Sequence, residues 1–230
     1  MLFRSILYFV LSNIDPLLNS RIGVATSYGK PYYRFSTYLK ALKLSFDSIL
    51  PEDIQNYSGH LILTTHKESP ETCETPILHE DIFEHPPTVI RGIMMQKLNL
   101  DFEENNLILG IDPGERTGLS VFYYGKEIES SFHSSVEELV DHIIRVLGGL
   151  RAKRKIVKIG NGNMGIAKQI VTMLNLKFCS SFELEFVDER KTSMKIKNFN
   201  QRGKRDMLSA KFISQRDGYR HSILPLSMTG

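Results

Sequence analysis

From Leu107 onward the chain sets short apolar runs against helical periods in a fixed order, and few architectures accept that order. Leu107-Ile108-Leu109-Gly110-Ile111-Asp112 reads as a strand ended by an acid, and Pro113-Gly114 turns the chain at once. Residues 118–122 and 127–132 read as the next two strands of an antiparallel meander. Ser134 opens a helix with a capping box to Glu137, and Val136, Leu139, Val140, Ile143, Ile144 and Leu147 form its apolar stripe, ended at Gly148-Gly149. Residues 155–159 predict a fourth strand, 165–174 a second helix, 184–188 a fifth strand ending in acids, and 204–215 a last helix. Strand, strand, strand, helix, strand, helix, strand, helix within about 125 residues implies one α/β domain.

The preceding half predicts a small α/β module with a partly parallel sheet. Residues 21–25 and 60–65 are short, β-branched apolar runs that suit buried strands. Between them, Phe35, Tyr38, Leu39, Leu42, Phe46 and Leu50 recur at helical spacing until Pro51, so a helix is expected over 32–50. A third element covers Val89 to Leu98, and the acidic, proline-containing stretch 69–85 reads as a surface loop. Within it, His79-Glu80-Asp81-Ile82-Phe83-Glu84-His85 mixes imidazole and carboxylate. It has no known ligand spacing and no HExxH, so no metal site is expected there. The apolar start, residues 2–14, carries Arg4 and is too short to span a bilayer, so a buried strand or helix is expected in place of a targeting segment, and no membrane partner.

Charge divides at the polar stretch 101–106, which has the character of a linker. Residues 1–104 hold 9 basic against 13 acidic residues, net −4; residues 105–230 hold 20 against 13, net +7. Ten basic residues and only two acids lie between Arg190 and Arg220, and such a surface attracts phosphate backbones. The expected partner is therefore nucleic acid. Cys73 and Cys179 are far apart with no CxxC, which excludes a disulfide scaffold and a thiolate zinc site and fits a reducing, cytoplasmic setting.

Three acids stand where one site could collect them: Asp112 after the first strand, Asp188-Glu189 after the fifth, and Asp206 in the first turn of the last helix. Strand ends of a parallel sheet open into one crevice. Clustered carboxylates repel each other unless a cation lies between them, and oxygen-only ligands favour Mg²⁺ or Mn²⁺. Singly, Asp112 could only start a turn, Asp188 and Glu189 could be ordinary strand-end polar residues, and Asp206 could simply favour a helix start.

Gly110 to Val121, GIDPGERTGLSV, resembles the first-strand motif of the RNase H-like resolvases of the RuvC and YqgF type. Phe186 to Ser193, FVDERKTS, is similar to the YqgF fifth-strand motif, and residues 204–215, continuing to Gly218-Tyr219, resemble that family's final helix. The resemblance spans about residues 105–221. It implies an RNase H-like domain over 105–230, with a mixed five-stranded sheet flanked by helices, behind an unrelated module over 1–104. It further implies a metal-dependent nuclease acting on structured RNA, such as precursor ribosomal RNA, or on branched DNA. Asp112, Glu189 and Asp206 would hold the metals, two Mg²⁺ or Mn²⁺ ions. Arg190 and Lys204 would contact the scissile or adjacent phosphate, and Lys195, Lys197 and Arg202 extend the basic surface.

Two departures mark this chain. Ile159-Gly160-Asn161-Gly162-Asn163 carries no acid where RuvC has one after its fourth strand, which is closer to the YqgF type and puts branched-DNA resolution in doubt. The first motif is also one residue shorter between its acid and Gly118. The alternative function is a catalytically inactive RNase H-like binding or regulatory protein. An ATP-using member of the actin and sugar-kinase group would need a second related half that the chain lacks. A homodimer is left open, and no motif names a partner for the first module.

Overall fold

The computed structural model describes residues 16–98, 105–177, 182–188 and 202–221. The chain divides into two compact α/β units, Met1–Asp101 and Phe102–Gly230. The apolar start, residues 2–14, lies outside the described residues. Among the described residues no helix is long and apolar enough to cross a membrane.

The first unit is built on four parallel strands, β1 (Ile22–Ala25), β2 (Phe46–Ile49), β3 (Leu61–Thr64) and β4 (Ile77–His79), in the order β2-β1-β3-β4. Every residue of β1 and β3 is buried, as expected for central strands of a parallel sheet. Helix α1 (Gly29–Ala41) and helix α2 (Pro87–Lys97) contribute Phe35, Leu39, Val89, Ile90, Met94 and Met95 to the core.

Two sequence expectations fail in this unit. The helix predicted over 32–50 ends at Ala41, and β2 occupies its second half. Lys43 adopts φ 57°, and the bonds Lys43 N–H to Lys40 O and Leu44 N–H to Leu39 O close a Schellman motif. A left-handed lysine leaves no glycine for a sequence reading to find, and Phe46 and Leu50 continue the helical spacing by coincidence. The loop expected over 69–85 contains β4, which exists because Ile77, Leu78 and His79 pair with Ile62, Leu63 and Thr64. Three residues carry no readable period.

The second unit contains β5 (Asn106–Asp112), β6 (Thr117–Tyr123), β7 (Lys126–His133), α3 (Val136–Gly149), β8 (Arg154–Gly160), α4 (Met164–Lys177), β9 (Glu183–Val187), α5 (Arg202–Gln215) and β10 (Tyr219–His221). Its sheet runs β10-β9-β8-β5-β6-β7. Strands β5, β6 and β7 form the antiparallel meander, β5, β8 and β9 are parallel, and β10 closes the edge antiparallel to β9. The sheet therefore has six strands, not the five expected, because a three-residue edge strand headed by the exposed Tyr219 has no hydrophobic signature. Tyr124 and Gly125, with φ 50° and 71°, make the two-residue turn between β6 and β7.

Helix α3 begins one residue later than the capping box predicts. Ser135 is the N-cap, its Oγ accepting the Glu138 N–H at 3.3 Å. The stripe Leu139, Val140, Ile143, Val146 and Leu147 is fully buried, together with Leu107, Leu109 and Ile111 of β5. Alternation along β5 leaves Gly110 and Asp112 for the other face, which α5 covers.

Candidate functional site

Helix α5 sits on the sheet through a seam of glycines. A Cβ on Gly110 would lie 2.2 Å from the Ala210 carbonyl oxygen and 2.6 Å from the Ser214 Cβ. A Cβ on Gly118 would lie 2.2 Å from the Asp206 carbonyl oxygen. Only residues without side chains let the helix backbone approach this closely.

The seam places the acids. Gly118 pairs with Asp112 across β5 and β6, and Asp206 rests directly on Gly118. Asp112 and the Asp206 backbone therefore lie at the same end of the sheet, on the face that carries α5. Asp206 lies in the second turn of its helix, not the first as expected, because α5 starts at Arg202. The strand registers align Asp112, Gly160 and Val187 at one level across β5, β8 and β9, so three adjacent parallel strands end together beside Asp206. Asp188 follows immediately, next to a hollow that Arg216 and Tyr219 also line.

Burial pushes the Asp206 carboxyl above its usual range, and the charges of Arg116 and Arg205 pull against that shift. Arg116 was not singled out from the sequence, although it stands inside the Gly110–Val121 motif. Its guanidinium lies 5.6 Å from the Phe132 ring centroid, which anchors it at the mouth of the site.

Of the other expected site residues, Glu189, Arg190, Lys195 and Lys197 lie outside the described residues. Arg202 and Lys204 belong to the first turn of α5, and their side chains lie outside the described residues. Part of the basic flank is structural. Lys211 is bonded to Glu127 at 2.6 Å, and Arg220 lies 3.1 Å from Glu183. Beneath the site, Lys158 and Glu185 form a buried pair at 3.6 Å, and Lys158 Nζ also donates to the Arg216 carbonyl oxygen. The fourth strand thus presents a buried lysine on the α5 face and ends in Gly160, without a carboxylate.

Among the described residues, one group of three His, Cys, Asp or Glu side chains brings its ligand atoms within 4.8 Å of one another: His66, His79 and Asp81, in the first unit. His79 and Asp81 belong to the cluster in which the sequence predicts no metal. His66 was not connected to them, because parallel pairing of β3 and β4 makes the connection. No protein-family model matches this sequence, and no curated protein matches it either.

Proposed function

We propose that the second unit is a metal-dependent endonuclease of the RNase H-like, YqgF and RuvC type, hydrolysing phosphodiester bonds in structured RNA or branched DNA in the cytoplasm. The observation that carries this reading is the pairing of Asp112 with Gly118, where the missing side chain lets the Asp206 backbone of α5 approach the strand that pairs with the end of β5. The strand order supports it. An antiparallel meander joined to two parallel strands makes the mixed, helix-flanked sheet that the resemblance implies, with a sixth strand added at the edge.

The donor set fits a hard divalent cation, being carboxylate oxygen, and the half-buried Asp206 gains from a cation that keeps it ionised. Asp112, Asp206 and Glu189 would hold Mg²⁺ or Mn²⁺. Two such ions supply an activated water and charge stabilisation at the leaving oxygen. Asp112 is fixed by β5 and Asp206 by α5, so each carboxylate is positioned by a rigid element. Arg116, Lys204 and Arg190 supply positive charge for the phosphate beside the acids, and Lys195, Lys197 and Arg202 extend the contact along the nucleic-acid backbone.

The test separates binding from cleavage. Asp112→Asn removes a metal ligand and not a phosphate contact, so cleavage is lost while binding stays within a few fold of wild type. Loss of binding together with cleavage in a folded variant would show that Asp112 does not divide the two roles in this way.

A further inference from the structure

The first unit carries a second set of metal-ligating groups, unrelated to the acids above. Its sheet order makes the chain leave β1 for β2 on one side and return to β3 on the other, and ligand sites of open α/β sheets lie at the carboxyl ends beside such a reversal. Ala25, Thr64 and His79 end β1, β3 and β4 at one level. His66 stands two residues beyond Thr64, in a turn held from both sides. Glu68 accepts the Thr65 hydroxyl at 2.8 Å, and the His66 backbone N–H donates to Glu80 at 2.9 Å. Asp81 is two residues beyond His79, in the 3-10 turn Glu80–Glu84.

These placements bring three side chains together. His66 Nε2 lies 3.5 Å from Asp81 Oδ2, and the His66 and His79 rings stack with centroids 4.0 Å apart at 19°. Bonds of about 2.1 Å to a tetrahedral ion separate its ligand atoms by about 3.4 Å. The His66–Asp81 edge already has that length.

A separate observation points to a missing partner. His79 Nε2 is buried and makes no hydrogen bond among the described residues. A buried polar nitrogen left unsatisfied is destabilising, and native structures rarely keep one. A metal ion would satisfy it.

We infer that His66, His79 and Asp81 bind one divalent transition-metal ion of the zinc type, with water completing its coordination. Two imidazoles and one carboxylate suit Zn²⁺ and its late first-row neighbours, and are a poor set for Mg²⁺. Stacked rings direct their nitrogen lone pairs side by side, so binding entails a turn of the more exposed His66 ring about its Cβ–Cγ bond.

The inference is independent of the nuclease reading, and its test uses the full chain with the metal alone. Calorimetric titration with Zn²⁺ after chelator treatment, repeated with Co²⁺ to read its visible absorption, should give one ion per chain with the intense bands of a low-symmetry, four- or five-coordinate site. His66→Ala and Asp81→Ala, both at exposed positions that the core does not depend on, should each weaken binding at least about tenfold. Asp112→Asn should leave it unchanged. Absence of stoichiometric binding in wild type, or affinity undiminished in both exposed variants, overturns the assignment.

Discussion

Replacing Gly118 with alanine tests the seam that joins fold to site. The new methyl would lie 2.2 Å from the Asp206 carbonyl oxygen, 2.6 Å from its carbonyl carbon and 3.3 Å from the Ala210 Cβ. The two nearest atoms are helix backbone, so no rotamer change relieves the clash, and α5 must retreat by roughly 1 Å to restore ordinary contact. Overpacking of this kind costs about 1–3 kcal/mol. For a unit of this size each kcal/mol corresponds to roughly 4 °C, so the melting transition of the second unit should fall by about 4–12 °C. The retreat also shifts Asp206 relative to the end of β5, and under the proposed function a displacement near 1 Å at a reacting centre costs roughly a hundredfold in rate. Thermal unfolding followed by circular dichroism, with cleavage assayed well below the transition, measures both effects. Gly148→Ala is the control: it sits in α3 with open space around its Cβ position and should leave the melting temperature unchanged or slightly raised. A Gly118→Ala protein that melts with the wild type, or a Gly148→Ala protein that is equally damaged, would refute the close approach of α5 to the sheet.

Three further perturbations probe other parts of the molecule. Lys158→Ala leaves Glu185 buried without its partner and should cost about 3–5 kcal/mol in urea denaturation, whereas Lys158→Met combined with Glu185→Leu should recover most of it. Burial pushes the Glu68 carboxyl up, but bonds from the Ser27 and Thr26 hydroxyls, the Ser27 N–H and the Thr65 hydroxyl outweigh it and hold the group below its ordinary value. That stabilisation is present above the unfolded value near 4.3 and is lost as pH falls through the lower folded value, so Glu68→Gln should destabilise the first unit by about 1–3 kcal/mol at pH 7 and progressively less below about pH 4. A gap that widens in acid would contradict the sign. Ser135→Ala should cost about 1 kcal/mol of stability and Ser134→Ala almost nothing, since Ser135 caps α3; the reverse ranking would move the cap.

The parts of the fold that were legible in the sequence are those written in local pattern. The apolar runs around Leu109, Val121 and Val157 and the stripe from Leu139 to Leu147 carry their period within a few residues, and each lies in the element expected. What escaped is made by tertiary pairing or by unsignalled backbone geometry. Lys43 stops α1 without a glycine, and β4 and β10 are three-residue strands that exist only against β3 and β9. At the candidate site, Asp112 could be singled out because it ends a strand, and Asp206 because the sequence pattern sets it near a helix start. The approach of the Asp206 backbone to Gly118, the partner of Asp112, depends on the seam of small residues beneath α5. Arg116 and His66 had no such signal. One stands in a turn whose glycine and proline dominate the pattern, and the other reaches its partners across a parallel register.

The proposed activity of the second unit is cleavage of nucleic acid with metals held by Asp112 and its neighbours. It is tested most directly by offering the full chain and its Asp112→Asn variant a four-way DNA junction and a precursor ribosomal RNA fragment side by side, each with Mg²⁺, Mn²⁺ or EDTA. Cleavage of at least one substrate by wild type is expected with Mg²⁺ or Mn²⁺, none with EDTA, and none by the variant. Salt-sensitive binding of either substrate by wild type with no cleavage under any metal would contradict it and leave a nucleic-acid binder that does not cut.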